Sequence, residues 1–214
     1  MDFYFFLLLL VLLVVIVGLS TYFDKLRREK LILAARQRGW ILHEQLPNAL
    51  ATELPDGVLF PAYARSRKVL LVFEILRVNG SEFIIEYRYS TGSGKSRQTH
   101  RFLACCLPLS SPIPKFMLRS ENWVDKLTQL VGFDDIDLPE NPEFSKRCHL
   151  SGEDKEGIKA FFTRDLVARV PELKNRSIVS LGSRIFVREH RRKLVADKLQ
   201  QAHDEMVAFG LIFN

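Results

Sequence analysis

The first stretch of the chain is continuously apolar, and the remainder switches between apolar and polar positions. From Phe3 to Phe23 every residue except Gly18, Ser20 and Thr21 is apolar, and none is charged. At about 1.5 Å per residue a helix of that length covers about 30 Å, the hydrocarbon thickness of a bilayer. A helix buried in a soluble core would carry a polar stripe, which this run lacks. Tyr4 and Tyr22 stand at its edges, where amphipathic rings prefer the headgroup layer. Only Asp2 is charged ahead of the run, and no small-residue cleavage site follows it, so the pattern fits an uncleaved anchor rather than a signal peptide. The reading is a transmembrane anchor with a basic juxtamembrane helix over 1–38, a proline-containing linker over 39–57, and one domain over 58–214.

Within the domain, VLLVFEILRV and SEFIIEYRY flank Asn79-Gly80, the strongest short-range signal for a β-hairpin. Phe83, Ile85, Tyr87 and Tyr89 share one side of the second strand, and Ile84, Glu86 and Arg88 the other, expected to be partly wet. A third strand is expected over Ser96–Leu107, making an antiparallel meander. Helical spacing predicts a helix over 121–131 with Trp123 and Leu127 inward. A second helix is expected to open at a Ser151–Asp154 capping box and carry Ile158, Phe161, Phe162, Leu166 and Val170. A last helix is expected over 193–209. One late strand is expected over Ser177–Arg188. Strands punctuated by helices without βαβ alternation indicate an α+β domain with about three helices, its core shared by Tyr87, Trp123, Phe161 and Leu199.

Charge sets the expected orientation. The chain has 31 Lys and Arg against 25 Asp and Glu, a net charge of +6. Lys25, Arg27, Arg28, Lys30, Arg36 and Arg38 crowd the C-terminal side of the apolar run, whereas no Lys or Arg precedes it. The positive-inside rule then places the N-terminus outside and the domain in the cytoplasm, against the inner membrane. Those six basic residues could also touch anionic lipid, although the topogenic role alone accounts for them. Adjacent Cys105 and Cys106 are poorly placed to bridge each other, and only Cys148 remains, so no disulfide framework is read.

The motifs that suggest chemistry fail on spacing. Gly92-Ser93-Gly94-Lys95-Ser96 imitates the end of a phosphate-binding loop, but Tyr89 stands where the first glycine belongs, and a strand rather than a helix follows. Asp134, Asp135, Asp137, Glu140 and Glu143 are acidic without the register of a calcium loop. His43, His100, His149, His190 and His203 have no zinc-site spacing, and Cys148-His149 in a strand would point to opposite faces. The basic cluster Arg188, His190, Arg191, Arg192 and Lys193 could meet phosphate, yet no nucleic-acid module accompanies it. No catalytic, cofactor or metal residue is assigned from the sequence.

The segments FEILRVNGSEFIIEYRYSTGSGKSRQTHRF, IPKFMLRSE and FDDIDLPENPEFSKRCHLSGEDKEGIKAFF resemble a family of bacterial membrane-anchored proteins of unknown function. The shared features are Tyr-x-Tyr before a Gly-Ser-Gly-Lys loop, Pro-x-Phe-x-Leu, Asp-Ile-Asp and Pro-Glu-Phe-Ser, over about residues 70–165. The resemblance implies a bacterial origin and a membrane tether and brings no site residue. The expected function is a non-catalytic interaction module at the cytoplasmic face, with the bilayer and a protein as partners. The alternative is a membrane-associated enzyme acting on an anionic or lipid-linked substrate, its site gathered from His100, His149, Asp135, Asp137 and Glu86.

Overall fold

The apolar run and its basic flank form one uninterrupted helix, α1 (Asp2–Gln37). The computed structural model describes residues 2–54, 57–120, 135–190 and 192–214. The most apolar stretch of α1 has a mean hydropathy of 2.8 and is not covered by the rest of the chain, so α1 is long and apolar enough to cross a membrane. Among the described residues eight strands follow: β1 (Ile41–His43), β2 (Arg65–Ile75), β3 (Glu82–Thr91), β4 (Gln98–Pro108), β5 (Met117–Ser120), β6 (Cys148–Ser151), β7 (Arg176–Ser180) and β8 (Arg184–His190). They make one antiparallel sheet in the order β1-β2-β3-β4-β8-β7-β5-β6. Five short helices accompany them among the described residues: α2 (Asn48–Glu53), α3 (Pro142–Arg147), α4 (Lys155–Phe161), α5 (Arg164–Arg169) and α6 (Leu199–Gly210). The domain is therefore α+β.

Cross-strand register explains how the sheet holds together. Leu42, Phe73, Ile84, Cys105, Val187, Ile178, Leu118 and Leu150 stand opposite one another in sequence across all eight strands. Directly opposed residues project on the same face, so this row is the spine of one hydrophobic layer. Leu31 and Ala35 of α1 cover it, together with Leu199, Ala202, Met206 and Phe209 of α6 and the apolar sides of α4 and α5. Helix α6 comes so close that a side-chain carbon at Gly210 would collide with Leu107. The opposite face carries Ile85, Tyr87, Tyr89, Phe102 and Phe186, and is covered by Leu50 of α2 with Val58 and Leu59.

Several expectations change. Residues 39–57, read as a linker, supply β1, the buried Trp40 and α2, whose Leu50 helps to close the second face. On the side of β3 expected to be partly wet, Ile84 and Glu86 are buried, because α1 and α6 lie over them, and Arg88 is the exposed part. The strand expected over 177–188 is two strands, β7 and β8, reversed at Gly182, whose φ of +92° suits glycine. The helix expected to run from Ser151 breaks at Phe162. Ser151 belongs to β6, Asp154 caps α4 by accepting from the Gly157 amide, and Thr163 caps α5 by accepting from the Leu166 amide. The last helix starts at Leu199, after a 3₁₀ turn over Ala196–Lys198. The helix expected over 121–131, with Trp123, lies outside the described residues.

Candidate functional site

The most unusual electrostatic feature is the joint between α1 and the sheet. Arg27, Leu31 and Ala35 recur every fourth residue, so one face of α1 turns inward. Leu31 and Ala35 enter the core, while the Arg27 guanidinium Nη1 donates to Glu86 Oε2 at 3.0 Å and to the Leu194 carbonyl at 2.8 Å. The Glu86 side chain is completely buried, and Arg101 of β4 approaches its other oxygen at 3.5 Å. Two arginines from distant parts of the chain thus converge on one buried carboxylate. Asp24 adds a weaker contact at 3.8 Å to Arg27 Nε and lies 4.0 Å from Lys193 Nζ. Lys25, Arg28, Lys30 and Arg36 remain exposed, and Arg38 bonds the Ala34 carbonyl. Of the six basic flank residues, only Arg27 is built into the domain by an ion pair among the described residues.

Beside this joint, His203 Nε2 lies 2.8 Å from Glu82 Oε2, with its ring 5.4 Å from that of Trp40. At the same end of the β2–β3 hairpin His43 pairs with Glu74 at 2.7 Å. The Ser81 hydroxyl, which donates to Glu74, holds that carboxyl below the usual range, and His43 adds to the effect. These contacts fasten α1, β1 and α6 to the β2–β3 hairpin.

Of the residues considered for an enzymatic site, only His149 and Asp135 meet, Nδ1 to Oδ1 at 3.8 Å, and the others lie apart. Glu86 lies under α1 on the first face. His100 bonds the Thr91 hydroxyl at 2.9 Å and stacks beside Tyr89 on the second face. His149 is on β6, four strand spacings from β4, which is about 19 Å at 4.8 Å per strand. Asp135 accepts from the Leu150 amide at 3.0 Å and, with the Ile136 amide on the Leu150 carbonyl, closes the outer edge of β6. Asp137 is exposed, and Glu143 pairs with Lys146. Asp134 lies outside the described residues. Among the described residues no three His, Cys, Asp or Glu side chains are grouped to hold a metal ion.

The other motifs resolve into structure. Gly94–Ser96 is a 3₁₀ turn inside the β3–β4 hairpin loop, and the Ser96 hydroxyl donates back to the Ser93 carbonyl. Gly92 is required there, since a side-chain carbon would meet the Ser96 carbonyl oxygen at 2.5 Å. Cys105 and Cys106 are buried, which pushes both thiols up, that of Cys106 to about 12, so neither is an activated nucleophile. The basic cluster is dispersed. Arg188 is buried and donates to the Ser177 hydroxyl and the Val58 carbonyl, Arg192 pairs with Glu189 and Glu205, and His190 stacks on Phe102. Arg191 is outside the described residues.

No family model, curated protein or solved structure matches this chain.

Proposed function

We propose that the chain is a single-pass membrane protein of the bacterial family it resembles. Helix α1 crosses the inner membrane, and the domain sits at the cytoplasmic face as a non-catalytic module that binds a protein partner. The observation that carries this reading is the continuity of α1. One helix is both the apolar span and, through Arg27, Leu31 and Ala35, part of the domain core. The domain is consequently held in a fixed attitude to the bilayer rather than swinging on a flexible tether, an arrangement suited to presenting one surface to a neighbouring membrane protein. The enzymatic alternative would gather several of His100, His149, Asp135, Asp137 and Glu86, and it draws only on the pairing of His149 with Asp135, four strands away from His100.

Two measurements test the reading. Protease added to intact spheroplasts should spare the domain and should degrade it in lysed vesicles; loss of the domain from intact spheroplasts would reverse the orientation. Affinity capture of the full chain from solubilised membranes should retain a stoichiometric protein partner. Recovery of the chain alone under several detergents would remove the interaction module.

A further inference from the structure

We infer that the β2–β3–β4 end of the sheet is a lipid-binding face, which docks on anionic headgroups of the same membrane that holds α1. The inference rests on the reading of α1 as the anchor. Its starting point is register. Lys68 stands opposite Arg88, and Arg88 opposite Arg101, so three cations lie side by side on three adjacent strands. Like charges directly opposed across a sheet destabilise it. Arg101 is answered by Glu86, but Lys68 and Arg88 are exposed and meet no carboxylate among the described residues.

The surroundings add more cations, while the nearby acids Asp24 and Glu86 are engaged with Arg27, Lys193 and Arg101. Arg65, Arg67, Lys95 and Arg97 are exposed at the same end of the sheet. Arg67 bonds the Ala64, Pro61 and Ala62 carbonyls, and Arg97 bonds the Ser66 hydroxyl, so both keep an unneutralised charge among the described residues. The sequence has no Asp or Glu from 57 to 73 or from 87 to 120. Among the described residues no carboxylate pairs with Lys68 or Arg88, so this face offers its charge to a ligand outside the chain.

The course of α1 says where that charge is. Trp40, just beyond the C-terminal end of α1, packs its ring against Phe73, which is level with Ile84 in register. Arg27, about three and a half turns earlier, reaches Glu86, further along β3. One turn earlier Asp24 lies 4.0 Å from Lys193, which follows the His190 end of β8, so the apolar segment leaves at the end of the sheet that also carries Arg88 and the β3–β4 loop. The basic end of the sheet therefore faces the layer from which α1 emerges, where anionic headgroups concentrate cationic side chains within a Debye length. An extended RNA would also meet such charge, but the placement beside the apolar helix favours lipid.

The test uses the full chain in nanodiscs of phosphatidylcholine alone and of phosphatidylcholine with phosphatidylglycerol, read by amide hydrogen exchange. Residues 92–99 should exchange about tenfold more slowly over anionic lipid, and the difference should vanish in high salt. Lys68→Ser with Arg88→Ser and Arg97→Ser should abolish it while β7 and β8 keep wild-type protection. Equal exchange in both lipids would overturn the inference, as would equal protection of phosphatidylcholine discs by inorganic phosphate or by an RNA oligonucleotide. If the triple variant loses protection throughout, the wild-type comparison between lipids still decides. A chain that enters neither kind of disc would overturn the anchor reading itself, and the lipid face with it.

Discussion

Arg27→Met should lower the stability of the detergent-solubilised chain by about 3 to 5 kcal/mol, the range for removing one partner of a buried ion pair. The substitution nearly preserves the aliphatic stem, so the loss is electrostatic. Glu86 would be left in a site without solvent contact with only Arg101, at 3.5 Å, facing it, and the Leu194 carbonyl would lose its donor. Arg27→Lys should fall between the two, since it keeps the charge but its shorter stem ends in a compact, more strongly hydrated ammonium that is costlier to bury beside Glu86. Arg28→Met, one residue along the same helix and exposed, should change stability by no more than about 0.5 kcal/mol. Combining Arg27→Met with Glu86→Leu should cost less than the sum of the single changes, because no carboxylate is then stranded. Denaturation that cannot distinguish Arg27→Met from Arg28→Met would remove the ion pair as the fastening of α1 to the domain.

That contrast also marks how far the joint was legible in the sequence. The charge excess after Phe23 and its expected topogenic role are evident from composition, but composition treats Arg27 and Arg28 alike. What separates them is the spacing of Arg27, Leu31 and Ala35, a narrow stripe whose last member is barely hydrophobic. A search for apolar periodicity among Leu26, Leu31 and Leu33 passes over it. Glu86 is hidden for a related reason. It alternates with apolar neighbours as a solvent-facing residue of an antiparallel strand does, and the helix that covers it comes from 59 residues earlier in the chain.

The sheet was partly readable. The Asn79-Gly80 hairpin and the meander through β4 follow from local signals, because antiparallel neighbours joined by short turns need no long-range information. The late strand pair was merged because apolar residues continue on both sides of Gly182, so periodicity alone runs through the turn. The stretch read as a linker held a usable signal. Leu46, Leu50, Leu54 and Val58 recur every four residues and pack on the second face of the sheet, but Pro47 and Pro55 interrupt the pattern and suggest a connection instead.

Phe162→Ala should destabilise the domain by about 3 to 5 kcal/mol, as truncation of a buried aromatic does, and Phe161→Ala by only about 1 to 2 kcal/mol. Helical spacing over 155–170 gives both phenylalanines an equal claim to the core. The break after α4 decides between them, because the chain leaves helical geometry at Phe162 and restarts under the Thr163 cap. Phe162 is 2% exposed, meets Phe116 edge-on at 4.9 Å, and also contacts Phe144 and Phe213, so its removal opens a cavity walled by three rings from three other segments. Phe161 is only partly buried and can lose its ring with water filling the space. At about 2 to 4 °C per kcal/mol for a domain of this size, the Phe162→Ala midpoint should fall by roughly 6 to 20 °C. Thr163→Ala, which removes the cap that holds the break, should cost about 1 kcal/mol on its own. Its effect should be less than additive with Phe162→Ala, since the cap and the ring maintain the same turn. Thermal unfolding in which Phe161→Ala falls as far as Phe162→Ala would mean that α4 and α5 are one continuous helix in solution, with both rings in the core.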